Sequence, residues 1–155
     1  MKVLIVTQYF FPEDFRVNDL AISLQNKLGH EVTVLTALPN YPQGNFFKNF
    51  SLLGGPYTGH YQGIKVYRVP MFSRGKNSRL QLALNYFSYA LMATLLGPFL
   101  CSGQYDIIFV AQYSPVTVGL PGIMMKWVKR APLFLWVQDL WPESLSATGA
   151  IRSKS

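Results

Sequence analysis

The most chemically capable group of residues in the chain is Gln138-Asp139-Leu140-Trp141-Pro142-Glu143-Ser144, a polar cluster at the end of an otherwise apolar run. A carboxylate such as Asp139 can accept two hydrogen bonds from a sugar's hydroxyls, and making both offsets its cost of burial. The same residue also suits the N-cap of a following helix, since Pro142 is tolerated in a first helical turn. Both roles remain open at this level. Three other polar or aromatic stretches follow apolar runs: Gln8 to Arg16, which contains Glu13 and Arg16; Pro39-Asn40-Tyr41-Pro42; and Gln112-Tyr113-Ser114-Pro115.

Several chemistries are disfavoured by what these stretches lack. A dinucleotide site wants G-x-G-x-x-G after the first strand, so that bare backbone approaches a pyrophosphate, and Gln8 to Phe15 holds no glycine. No G-x-x-x-x-G-K-[ST] phosphate loop occurs. The expected ends of strands one and three, Thr7-Gln8 and Val69-Pro70, lack the clustered acids of a phosphoacceptor domain. His30 and His60 lie far apart with no Cys or carboxylate at ligand spacing, so no metal is expected, and His30 reads as a turn residue. Cys101, the single cysteine, has no disulfide partner in the chain and reads as a small buried hydrophobe; a lone thiol fits a reducing cytosol.

The elements that must position these residues alternate. Residues 2–7 form an apolar run suited to a strand buried on both faces. Val17, Leu20, Ala21, Leu24 and Leu28 recur at helical spacing, and Gly29 is placed to stop that helix. Residues 31–36 are β-branched and short, which completes a βαβ unit with a right-handed crossover. A long irregular segment rich in Pro, Gly and aromatics occupies 39–60. Strands follow at 64–69, near the sheet edge, and at 106–111 and 132–137, with helices at 80–101, where Gly97-Pro98 bends or ends the helix, and at 116–129. The expectation is α/β: a Rossmann-like, doubly wound, mostly parallel sheet with helices on both faces. In such a sheet, ligands sit beyond the carboxyl ends of the strands.

With 155 residues, half of them hydrophobic, the chain is long and apolar enough for one folded domain, and disorder is excluded. Fourteen Lys and Arg against seven Asp and Glu give net +7, favouring partners that carry phosphate. The apolar stretch 3–6 is too short for a signal-peptide core, so secretion is not expected. Between Arg79 and Asp106 there is no charged residue, and 80–101 is long enough to span a bilayer by count. Gln81, Asn85, Ser88 and Thr94 interrupt it, and the sheet needs a covering helix at this point. Arg68, Arg74, Lys76 and Arg79 precede it, forming either a solvated basic loop or an electrostatic contact with anionic lipid.

Three segments, Gln8-Tyr9-Phe10-Phe11-Pro12-Glu13, Leu38-Pro39-Asn40-Tyr41-Pro42-Gln43-Gly44 and Gln138-Asp139-Leu140-Trp141-Pro142-Glu143-Ser144, together resemble the amino-terminal domain of a family 4 GT-B glycosyltransferase. They are similar to bacterial enzymes that add amino sugars such as N-acetylfucosamine during surface-polysaccharide assembly. The resemblance implies that residues 1–155 are a truncated acceptor-binding half of a retaining, metal-independent transferase, inactive alone, whose carboxyl-terminal donor domain is absent. It implies a nucleotide-sugar co-substrate, no cofactor, a lipid-pyrophosphate-linked saccharide acceptor, no nucleic acid, and a cytoplasmic place at the inner face of the cell membrane with peripheral contact. In those terms Gln138 and Asp139 are catalytic, positioning hydroxyls, and Glu13, Arg16, Tyr41 and Tyr113 bind the acceptor. The chain departs from the family in lacking a Gly-Gly pair after the first strand and in carrying Gln138 where relatives often have His.

Two competing readings belong to other classes. A non-catalytic membrane-surface module is suggested by the charge and the apolar helix. Nucleic-acid binding has only scattered basic residues behind it, with no accompanying motif.

Overall fold

The computed structural model describes residues 1–76, 78–113 and 115–138. Six strands form one sheet in the order β3-β4-β2-β1-β5-β6. They are β1 Lys2–Thr7, β2 Glu31–Ala37, β3 Thr58–Tyr61, β4 Ile64–Val69, β5 Ile107–Gln112 and β6 Leu133–Val137. All pairs are parallel except β3 with β4. Three helices connect them: α1 Arg16–Ile22, α2 Arg79–Leu100 and α3 Gly119–Lys129. The fold is α/β and Rossmann-like, as the alternation of apolar runs and helical periodicity leads one to expect.

The central strands are apolar on both faces because each face has a cover. Leu4, Val6, Leu35, Ile108 and Val110 point to the side of α2 and α3, joined there by Tyr89, Ala93 and Met125. Val3, Ile5, Val32, Val34 and Val66 point the other way, onto Val17 and Ala21 of α1. Chain order runs outward from β1 to β2 and β4, then returns to β5 on the other side of β1. The order therefore reverses between β1 and β5, the place in such a sheet where ligands commonly bind beyond the carboxyl ends of the strands.

One strand escapes the sequence reading. β3 begins at the end of the segment expected to be irregular, 39–60, as four residues, Thr58-Gly59-His60-Tyr61, on the sheet edge. Gln62 and Gly63 both have positive φ, 47° and 84°, the geometry of a two-residue hairpin turn that reverses the chain into β4. The first helix is also shorter than expected: after Ile22 it widens into a π-helical turn, Ser23–Lys27, before Gly29 at φ 66° ends it.

Glycine sets how closely two helices approach the sheet. A Cβ on Gly122 of α3 would lie 2.4 Å from Val110 Cγ2 and 3.1 Å from Leu133 Cδ1. A Cβ on Gly97 of α2 would lie 2.8 Å from Leu35 Cδ2. Pro98 does not stop α2, which runs on to Leu100; the Lys129 ammonium donates to the Pro98 carbonyl at 3.4 Å. Gly122→Ala should therefore destabilise the domain by about 1–3 kcal/mol through overpacking, read as a lower urea midpoint at unchanged slope.

Candidate functional site

The loops beyond β1, β2 and β4 are joined by a buried polar network. Glu13, only 2% exposed, accepts from three backbone amides: Asn40 N at 2.9 Å and Tyr41 N at 2.8 Å on Oε1, and Phe10 N at 3.3 Å on Oε2. Asn40 accepts in turn from the Arg74 amide at 2.9 Å and donates to the Leu38 carbonyl at 3.0 Å. Asn85 of α2 accepts from Gln8 Nε2 at 2.8 Å and donates to the Phe72 carbonyl at 2.7 Å. Arg68, 6% exposed, donates to the Phe11 carbonyl at 3.0 Å and lies over the Phe50 ring. Buried amides and carboxylates are costly unless satisfied, so each bond here fixes the position of a loop.

Above this network an aromatic ledge crosses the rim. Tyr9 stacks on Phe15 at 4.8 Å, Tyr41 leans on both, and Phe15 meets Tyr113 edge-on at 4.8 Å. The Arg74 guanidinium sits 5.3 Å from the Tyr41 ring centroid and donates to the Tyr9 hydroxyl at 3.3 Å. Among the described residues the single ion pair is Lys2–Glu31, so Arg74 has no carboxylate within salt-bridge distance. A half-buried cation beside exposed aromatic surface is suited to an anionic group carried on a ring-shaped ligand.

Burial controls the ionisation of this region. Desolvation pushes the Glu13 carboxyl up to about 7, against the pull of its amide donors and of Arg68. Burial likewise lowers the Arg68 guanidinium and raises the Tyr9 hydroxyl well above its usual range. Cys101, buried under α2, is pushed up to about 12, which leaves it a protonated, inert thiol.

The sequence candidates fare unequally. Glu13 was expected to touch an acceptor; the structure corrects this, because its carboxylate is enclosed and spent on the chain's own amides. Tyr113 was expected to offer a polar tip at the strand end; its hydroxyl accepts from Val17 N at 2.9 Å, near the start of α1, and keeps its own proton to donate. Tyr41 is 36% exposed and lies on the ledge. Arg16 is exposed as the first residue of α1. Gln138 is exposed just past β6, its backbone N–H donating to the Gln112 backbone carbonyl at 2.9 Å, so it stands at the strand-end rim. Asp139 lies outside the described residues.

Sequence reasoning missed Asn40, Arg74 and Asn85 as a connected set. Asn85 was visible only as an interruption in an apolar helix, and Arg74 only as one of several cations. An amide at the inward spacing of a helix that covers a sheet was the one available signal.

No family model matches the chain, and no curated protein matches it. Among solved structures, the chain is similar to the C-terminal domain of a hydrogenase from Pyrococcus furiosus, in two crystal structures. One matches at 19% identity and TM-score 0.53, covering 88% of this chain and 90% of that one. The other matches at 17% identity and TM-score 0.53, covering 87% and 90%. At such identity the likeness carries the fold alone. It also corrects the resemblance drawn from the three sequence segments: the neighbours belong to a hydrogenase and not to a family 4 GT-B glycosyltransferase, and neither family models nor curated relatives support that membership. Three short aromatic and proline-containing segments did not suffice to fix a family.

The ionisation of Glu13 gives a signed prediction. Its folded value, about 7, lies above its ordinary 4.5, so the native state holds a proton that the unfolded chain releases. Stability from this group is full below about 4.5 and is lost as pH rises through about 7, by up to about 3 kcal/mol. Urea unfolding at pH 5 and pH 8 should show that fall in wild type and a flatter profile in Glu13→Gln.

Proposed function

We propose that the domain binds a saccharide bearing a phosphate or diphosphate at the carboxyl rim of its sheet and presents a hydroxyl of that saccharide as acceptor for glycosyl transfer. The observation that carries the reading is Arg74: a cation with no carboxylate partner among the described residues, held against Tyr41 and Tyr9 where the loops after β1, β2 and β4 meet. Tyr41 offers a face for a pyranose ring, Arg74 a charge and a fork of donors for phosphate oxygens, and the exposed Gln138 amide a group able to bond a hydroxyl.

In this reading the described residues bind and orient. Glu13, Asn40 and Asn85 act through position: they hold the loops so that Arg74 and Tyr41 stay side by side, which reduces the ordering cost when ligand arrives. A nucleotide-sugar donor is the partner substrate, and the groups that stabilise its leaving phosphate are supplied from beyond the rim described here. The reading stands on the chemistry of the rim and not on family membership.

Isothermal titration with a short-prenyl diphosphate N-acetylhexosamine, the free N-acetylhexosamine and inorganic pyrophosphate provides the test. Arg74→Ala should weaken the diphosphate-bearing ligand at least about tenfold, roughly 1.4 kcal/mol, and leave the uncharged sugar unaffected. Tyr41→Ala should weaken both sugar-bearing ligands and spare pyrophosphate. Equal affinities for wild type and Arg74→Ala at matched thermal stability would remove the rim as the site.

A further inference from the structure

The helix α2 carries large apolar side chains on the side turned away from the sheet, which a soluble sheet-covering helix has no reason to do. Its buried residues are Asn85, the core Tyr89, and the small Ala90, Ala93 and Gly97. Its outward stripe is large: Leu80, Leu84, Phe87, Leu91, Leu95 and Phe99 are 45–81% exposed. The outward residues are spaced by three and four, so they make one continuous ridge. Beside it α3 exposes Leu120, Ile123 and Trp127, the last at 72%. An open groove of about 390 Å³ lies between the two helices, lined by Phe87, Leu91, Ile123, Met124 and Trp127 among others.

Among the described residues, the charged side chains carried on α2 and α3 and in the segment 74–78 before α2 are all cations. In the sequence no acidic residue occurs between Glu31 and Asp106, or between Asp106 and Asp139. Arg74, Lys76 and Arg79 stand ahead of and at the start of α2; Lys126 and Arg130 stand at the end of α3. The two helices each lead from one parallel strand to the next and so run the same way, and Lys129 at the end of α3 reaches Pro98 near the end of α2. Cations therefore flank the apolar ridge at both ends.

We infer that the α2–α3 face is a docking surface for an anionic lipid bilayer, with both helix axes lying in the plane of the interface. Spanning is the alternative that α2's length invites, since 22 residues reach about 33 Å. Asn85 decides against it: buried in the rim network and bonded to Gln8, it holds α2 on the sheet. A second copy of the chain is disfavoured by the charges. Both ends of the face are positive, so a two-fold pairing brings cations against cations. Anionic headgroups meet those cations while the ridge enters the acyl boundary. The surface does not depend on which ligand the rim holds.

Trp127 is a built-in reporter for the test. The full chain is mixed with vesicles of phosphatidylcholine alone or of equimolar phosphatidylcholine and phosphatidylglycerol, then assayed by co-sedimentation and by quenching of tryptophan emission with brominated acyl chains. Sedimentation and quenching on the anionic vesicles, weakened by added salt, are expected. Phe87→Asp combined with Leu91→Asp, both exposed positions, should cut binding at least about tenfold while circular dichroism and rim-ligand affinity stay as in wild type. Trp127→Phe should keep sedimentation and lose most of the quenching. No binding to anionic vesicles, binding that the double substitution leaves unchanged, or a dimer that shields Trp127 in place of vesicle binding would each overturn the inference. Intact rim-ligand affinity alongside any of these results would leave the rim reading standing.

Discussion

The enclosed carboxylate of Glu13 is the constraint on which the upper half of the molecule depends. Three backbone amides from two separate loops converge on its two oxygens, and the loop after β4 is attached one bond further on, through Asn40. Turns and a small bridge satisfy part of the backbone of these loops, and the side chains of Glu13, Asn40 and Asn85 satisfy further amides and carbonyls that no ladder reaches. The arrangement fixes the ledge of Tyr9, Phe15 and Tyr41 and the cation beside it. It also places the ionisation of a single group at the centre of loop geometry, with desolvation and amide donors pulling it in opposite directions.

Much of the framework was legible because its signals are local. Strands buried on both faces read as short apolar runs, and β1, β2, β5 and β6 fell where those runs lie. The helices were legible from spacing and from Gly29. β3 was not, since four residues with two of them exposed on a sheet edge carry no periodicity to speak of, and Gln-Gly announces a hairpin less clearly than Asn-Gly would. The site was harder. A glutamate in a loop has the same letter whether it faces a ligand or its own backbone, and only the three-dimensional path of the chain shows that Glu13 faces inward. Nor does the sequence show that the Tyr113 hydroxyl accepts from an amide 96 positions away. Exposure at Tyr41, Arg16 and Gln138 agrees with their strand-end positions, which topology alone dictates.

The two faces of the sheet are covered differently. On one side α1 is short, and its contacts, Val17 and Ala21, serve the centre of the sheet. On the other, α2 and α3 lie side by side and leave much apolar surface outward. The fold is thus asymmetric in what it shows to its surroundings: polar and aromatic groups along the rim, a broad greasy ridge on one flank, and positive charge near both.

The inward stripe of α2 carries a consequence of its own. Ala90, Ala93 and Gly97 bring the helix close to the strands without interlocking side chains, while the bulk of the helix projects the other way. The two sides of one helix are thereby under separate rules of substitution: at Gly97 the inner side has no room even for a methyl group, whereas on the outer side one large hydrocarbon can replace another freely. Sequence drift along α2 will follow that division, with small residues held in place at the inner positions and aliphatic or aromatic identities exchanging along the outer ones.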